Sequence, residues 1–166
     1  MSENLTIEPL AEDNFGDFVS LMEKFAEYEN LEPPDEEAKR RLKQDGFSRN
    51  PAFEAYLGKV DGKAVGYITF FTTYSTFRGQ PTLFLEDIFV LAESRRNGLG
   101  QKLFDFYLRQ ARERGCGRAE WCVLDWNEPA IQFYEKNRAE RLNWIFYRMD
   151  GSRIENHPGG SSPPPG

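Results

Sequence analysis

Two places in this 166-residue chain combine residue types that have chemistry to do. The first is Glu86-Asp87, adjacent carboxylates set inside an otherwise apolar run from Leu83 to Val90. Carboxylates in such a run are costly unless they are hydrogen-bonded or paired with a cation. Alternation along a strand sends their side chains to opposite faces, so only one of them points into a given pocket. The second is Arg95-Arg96-Asn97-Gly98-Leu99-Gly100, whose glycines let a backbone approach a ligand closely. A helix start aims unpaired N–H groups at one point and its dipole favours an anion, so this turn suits a pyrophosphate. It is neither a Rossmann nor a Walker A pattern, because Gly-x-Gly-x-x-Gly and Gly-Lys-Ser/Thr are both missing. Taken alone, such glycines serve a structural turn equally well.

The rest of the composition limits the chemistry. The single histidine, His157, falls in a Gly/Ser/Pro-rich tail, so Ser-His-Asp, Cys-His and histidine-ligated metal sites are not expected, and no metal is. Cys116 and Cys122 fit neither a zinc pattern nor a disulfide framework and read as free thiols of a reducing, cytoplasmic compartment. The opening Met1-Ser2-Glu3-Asn4-Leu5-Thr6 has no basic or apolar leader pattern, and the apolar runs are too short for a membrane span, so neither a signal peptide nor a membrane partner is expected. Net charge is −6, which argues against nucleic acid. The charge is polarised: twelve acidic residues against Lys24 between Glu3 and Glu37, then a basic excess from Glu93 to Arg118. Most of these charges read as solvated helix faces, but the pattern also fits a cationic substrate near one end and a phosphate-bearing ligand near the other.

The elements that must position these residues follow from periodicity. Leu5 to Leu10 reads as a short strand stopped by Pro9. Phe15, Phe18, Met22 and Phe25 share a helical face, predicting a helix over 13–28. A second helix begins after Asp35 as N-cap and is stopped by Gly46. Strands at 53–60 and 63–74 flank Asp61-Gly62, a hairpin turn, and the third, 83–90, reads as a central buried strand. A helix over 98–114 turns Leu99, Leu103, Phe106 and Tyr107 inward and is capped by Gly115. A strand over 119–124, a short helix from Asn127 through Lys136 and a last strand over 144–149 complete the chain, and 151–166 reads as a disordered tail. The expectation is one α/β domain over 1–150, a mixed central sheet flanked by helices.

The turn at Arg95–Gly100 follows Leu85-Glu86-Asp87-Ile88-Phe89-Val90 and precedes, one strand later, Asp125-Trp126-Asn127-Glu128-Pro129-Ala130-Ile131-Gln132-Phe133-Tyr134. In this order the sequence resembles the GNAT superfamily, with its Arg/Gln-x-x-Gly-x-Gly/Ala motif after the fourth strand and an aromatic pair in a later helix. The resemblance narrows to the spermidine/spermine and thialysine acetyltransferase branch through Phe25–Glu29, Asp45–Pro51, Tyr74–Gly79, Leu85–Val90, Arg95–Gly100 and Val123–Tyr134, and it spans roughly residues 5 to 150. It implies a GNAT-like acyl-CoA N-acyltransferase fold, acetyl-CoA as co-substrate, a small cationic amine as acceptor and a homodimer.

The resemblance also implies roles for particular residues. Ile88, Phe89 and Val90 pair with the pantetheine arm, and a backbone N–H near Phe89 and Val90 faces the developing oxyanion. Arg95, Arg96, Asn97, Gly98, Leu99, Gly100 and Gln101 wrap the pyrophosphate, while Asn127, Pro129 and Ala130 line the other side of the cofactor. Tyr134, which on its own pattern reads as a core aromatic beside Phe133, becomes the general acid for the leaving thiolate, to which a phenol of pKa about 10 is matched. Glu86 is implied in ammonium binding and water-mediated deprotonation. Asp87 is implied as a substrate residue, with a buried structural hydrogen bond as its alternative, and Tyr28, Glu29 and Phe77 complete the substrate set. The match departs at Asn137-Arg138-Ala139, where the family has Gly-Ala and Asn137 is expected to supply the left-handed conformation. It departs again in a shorter segment before the last strand, and at Ser75 and Phe77 in place of an acid and a tryptophan. These last changes favour a diamine or lysine-like amino acid over a long polyamine. Acetylation of a protein N-terminus or lysine, and a non-catalytic acyl-CoA-sensing module, are the competing readings.

Overall fold

The computed structural model describes residues 4–158. The chain divides into two compact units, Met1–Cys122 and Val123–Gly166.

The first unit is a five-stranded sheet in the order β1-β2-β3-β4-β5, with β1 at Leu5–Pro9, β2 at Glu54–Val60, β3 at Lys63–Ser75, β4 at Gln80–Val90 and β5 at Arg118–Trp121. β1 to β4 are antiparallel neighbours and β5 joins β4 in parallel, so the sheet is mixed. Asp61 and Gly62 turn the β2–β3 hairpin with φ of 49° and 83°, the doubly left-handed turn that matches strand twist.

Helix α1, Phe15–Glu29, buries Phe18, Leu21 and Ala26. Phe18 and Leu21 meet Ala55, Leu57, Tyr67 and Phe89 of the sheet in one apolar cluster. Asn14 ties the helix start to β1: its Oδ1 accepts from Ala11 N–H at 2.8 Å and its Nδ2 donates to the Pro9 carbonyl at 3.1 Å. Helix α2, Glu36–Gly46, begins where Asp35 Oδ1 accepts from Ala38 N–H at 2.7 Å. It buries no side chain and is held at its flank by ion pairs, Lys39 to Glu23 at 2.9 Å and Lys43 to Glu12 at 3.2 Å. Helix α3, Leu99–Glu113, packs Leu99, Leu103, Phe104, Tyr107 and Ala111 against the sheet. Each large apolar side chain buried there contributes about 1.5–3 kcal/mol. Phe104 takes the fully buried place, while Phe106 is half-buried with its ring 4.6 Å from that of Tyr56. The helix ends with Gly115 at φ +65°, where Cys116 N–H reaches the Ala111 carbonyl and Gly115 N–H that of Arg112.

The second unit contains α4, Glu128–Lys136, and α5, Gly151–Glu155. Three expectations are corrected here. The predicted last strand over 144–149 is not a strand, and Trp144, Ile145, Phe146 and Tyr147 are 73–85 % exposed. Its side-chain pattern suits a strand, but a strand exists only with a partner ladder, and none of the described residues supplies one. The predicted disordered tail instead opens with α5, while 159–166 lie outside the described residues. A third correction concerns the end of α4: Asn137 has φ −81°, and Arg138 at +62° is the left-handed residue. No helix among the described residues is long and apolar enough to cross a membrane.

Candidate active site

The site in the first unit is organised by β4. On one side β3 accompanies it as far as Val90, opposite Gly66. On the other, β5 pairs only with Thr82–Leu85 and stops. Residues 86–90 of β4 therefore present a strand edge with no ladder partner among the described residues. An extended ligand carrying amides can add to such an edge as a further strand. Gly66 allows the tight approach of β3 here, because a Cβ at that position would lie 2.7 Å from the Phe89 carbonyl oxygen.

Beyond Val90 the chain makes a 3-10 turn at Ala92–Ser94 and enters the basic loop. Arg96 has φ +73° and Gly98 φ +88°, so two left-handed residues turn the backbone just before α3. The strain at Arg96 costs on the order of 1 kcal/mol. Asn97 Oδ1 takes the Leu99 N–H at 3.1 Å, and the first full helical bond runs from Lys102 N–H to the Gly98 carbonyl at 3.0 Å. The Gly98 and Gly100 N–H groups lie ahead of that bond, in a first turn that carries no acidic residue. Amides ahead of the first helical bond, in a turn without acidic residues, suit an anion such as a phosphate group, and the Lys102 ammonium is turned away from them to the Leu5 carbonyl oxygen. Arg95 folds back over β4. Its Nε donates to the Val90 carbonyl at 2.9 Å, and its guanidinium lies 4.8 Å from the Tyr28 ring centroid and 5.8 Å from that of Phe89.

Beside β4 a cavity of about 150 Å³ opens between α1, the α1–α2 loop and the sheet. Met22, Phe25, Leu31 and Pro34 form apolar walls, and Asp87, Glu29, Glu32 and Tyr67 supply the polar groups. A register shift opposite Thr69/Phe70 makes Glu86 the extra residue of a bulge: Thr69 faces Asp87 and Phe70 faces Leu85. Asp87 lines the cavity, and Glu86 is exposed. Thr69 Oγ1 donates to Asp87 Oδ2 at 3.1 Å and accepts the Asp87 N–H at 3.1 Å. Burial pushes the Asp87 carboxyl up to about 6, with the neighbouring charge of Glu86 adding to the effect. Burial also raises Glu29, and holds the Tyr67 hydroxyl, a partner of Asp87, well above its usual range. A small cavity with apolar walls and clustered carboxylates is matched to an alkylammonium.

Of the remaining substrate candidates, Tyr28 is not among the residues lining this cavity and packs beside Phe89, their ring centroids 6.3 Å apart. Phe77 is fully exposed at the tip of the β3–β4 hairpin, and the seven residue steps from Gln80 to Asp87 put that tip roughly 23 Å along the strand from the cavity. The structure does not bring it to this pocket. Ser75, at the same tip, is buried and accepts the Arg78 N–H at 3.4 Å. Tyr67 and Thr69 were not singled out by the sequence: both sit in a continuous apolar strand, and only the cross-strand register places them at Asp87. A larger groove of about 620 Å³ beside α2 has Glu12, Glu36, Lys39 and Lys43 paired with charged neighbours, and holds no group suited to acyl transfer.

In the second unit, Asn127 caps α4 by accepting the Ala130 N–H at 3.4 Å, with Pro129 in the first turn. Tyr134 lies on α4 with its ring centroid 5.5 Å from that of Phe133.

A mixed sheet whose fourth strand parts from the fifth above a glycine turn into a helix is the frame of an acyl-transferring enzyme. The chain belongs to the acetyltransferase (GNAT) family, whose profile matches residues 18–139. It is an N-acetyltransferase, and the family uses acetyl-CoA. It is 30% identical to the thialysine N-epsilon-acetyltransferase of Caenorhabditis elegans over 156 residues, covering 92% of this chain and 96% of that protein. It is 28% identical to the thialysine N-epsilon-acetyltransferase of Mus musculus over 160 residues, 89% of this chain and 94% of that one. Among solved structures, a possible acetyltransferase from Clostridium difficile 630 superposes with a TM-score of 0.77 at 17% identity, over 88% of this chain and 97% of that chain. The aminoglycoside N-acetyltransferase AAC(6')-Iy, solved with CoA, superposes with a TM-score of 0.72 at 18% identity, over 90% and 97%.

Proposed function

We propose that the enzyme acetylates a primary amine of a small cationic molecule, a diamine or a lysine-like amino acid, by direct attack of the amine on the acetyl group. The observation that carries this reading is the cavity holding Asp87 and Glu29 beside the unpaired edge of β4. Acetyl-CoA, when bound, supplies the activated acetyl thioester. The amides at Gly98 and Gly100, with Arg95, Arg96, Asn97, Leu99 and Gln101 around them, hold the pyrophosphate. Ile88, Phe89 and Val90 pair with the pantetheine arm, and a β4 N–H donates to the carbonyl oxygen as charge builds on it. The family motif assigns Asn127, Pro129 and Ala130 to the cofactor as well.

Asp87 and Glu29 attract the ammonium and orient it against the apolar walls. Exposed Glu86, one residue along, accepts a proton from the amine through water and passes it to solvent. Tyr134 holds a proton at Oη for the departing thiolate. Its support is the Asn127-to-Tyr134 motif and the family match.

A thiol-release assay with acetyl-CoA and a panel of cadaverine, putrescine, L-lysine, spermidine and a short peptide tests the reading. Turnover is expected with the short diamines or lysine at a kcat/KM at least about tenfold above that with the peptide, a discrimination within the reach of one buried charge pair. Peptide turnover exceeding that of every small amine would replace it with protein acetylation.

A further inference from the structure

We infer that Tyr107 is a positioning residue: its hydroxyl pins α3 at the fork between β4 and β5, and so keeps the phosphate-facing turn and the unpaired edge of β4 in one register. The inference rests on the reading of these two features as halves of one acyl-CoA site.

Tyr107 is wholly buried on the inner face of α3. Its hydroxyl lies 2.7 Å from the Leu83 carbonyl oxygen of β4 and 3.2 Å from the Glu120 carbonyl oxygen of β5. A tyrosine hydroxyl has one proton, so this O–H is shared between two strands. The two carbonyls belong to the short stretch where β4 and β5 are paired, Thr82–Leu85 with Arg118–Trp121, immediately before the strands part. Burial raises the hydroxyl far above its usual range, so it remains a neutral donor throughout the working pH range. The other buried contacts of α3, from Leu99, Leu103, Phe104 and Ala111, are apolar and set depth without fixing direction, and its remaining polar ties, Lys102 to the Leu5 carbonyl and Arg114 to Glu54, reach β1 and β2 and not the fork. A phenylalanine at 107 would fill the same space, since the ring is already held by Phe70, Phe104 and Trp121 at centroid distances of 5.8, 6.0 and 6.3 Å. The hydroxyl therefore adds direction. Tyr107 stands eight residues from Leu99, about 12 Å along the helix, so a slip or roll at the fork is carried rigidly to the turn at Gly98.

The test compares the full chain with Tyr107→Phe by isothermal titration with CoA, steady-state kinetics and thermal unfolding. Loss of one directional hydrogen bond is expected to raise the CoA Kd and the acetyl-CoA KM roughly five- to tenfold. The amine KM and kcat should stay within about twofold, the scale of a minor packing change. Phe104→Leu, which thins the packing of the same helix face, should lower Tm at least as much while leaving the CoA Kd within about twofold. In the same samples, amide exchange at 83–90 should be faster in Tyr107→Phe than in Phe104→Leu. A CoA Kd unchanged in Tyr107→Phe, or raised equally by Phe104→Leu, overturns the inference. Wild-type protein that binds no CoA overturns the acyl-CoA reading itself, and this inference with it.

Discussion

Replacing Asp87 by Asn should make the protein more stable and less active, with a pH dependence that identifies the cause. The carboxyl is raised from 3.8 to about 6, chiefly by burial. At 1.36 kcal/mol per pKa unit, the ionised form costs the fold on the order of 3 kcal/mol above pH 6. The sign follows from the protons bound. Below about pH 4 folded and unfolded chains both carry the proton, so the cost is absent. Between about 4 and 6 the folded chain holds the extra proton, so stability falls as pH rises, and above that window the penalty is complete. A neutral amide in place of the carboxylate avoids the penalty while Thr69 and Tyr67 retain a polar partner. Allowing for weaker hydrogen bonds, Asp87→Asn should gain about 1–3 kcal/mol at pH 8, a rise in Tm on the order of 5–10 °C, and nothing at pH 3.5. Calorimetry across pH 3.5–8 measures the difference. With amine substrates the variant should lose at least about tenfold in kcat/KM, and the rise of wild-type activity through pH 6 should vanish with it. A variant no more stable than wild type at pH 8, or a stability difference independent of pH, would refute the buried-carboxylate argument.

Three further outcomes are expected. Gly98→Ala places a side chain at φ +88°, so Tm should fall by an amount equivalent to about 1–2 kcal/mol and the acetyl-CoA KM should rise about tenfold or more, read by unfolding and steady-state kinetics. Arg138→Gly relieves a left-handed residue at the end of α4 and should raise Tm by an amount equivalent to about 0.5–1 kcal/mol with kcat unchanged. Glu29→Gln removes one of the cavity carboxylates and should raise the amine KM roughly three- to tenfold while the acetyl-CoA KM stays fixed, since Glu29 lines only the amine cavity.

Local signals were legible in the sequence and long-range ones were not. Asp35 as a cap, Asp61-Gly62 as a hairpin turn and Gly115 as a helix stop each act over four or five residues, and each stands where its type and spacing indicate. The Arg95–Gly100 turn was likewise visible, because a glycine-rich start to a helix is a local device. The segment over 144–149 has the composition of a strand, yet a ladder needs a partner that composition does not name. The acidic pair shows the same boundary at the site. Alternation separates Glu86 from Asp87, but a bulge set by the pairing of β3 with β4 decides which one lines the cavity. Tyr67 and Thr69 join Asp87 through that same register, and Arg138 takes the left-handed place beside Asn137 because the turn after α4 closes one residue later.

The most direct test of amine acetylation by this chain is thiol release from acetyl-CoA with cadaverine or L-lysine, by wild type and Tyr134→Phe, alongside CoA titration of both. Wild type should turn over, and the variant should lose about a hundredfold in kcat, a general-acid contribution, with CoA affinity and amine KM within about threefold. Wild-type protein that binds CoA but acetylates no small amine, or a variant that keeps its kcat within about threefold, would contradict it.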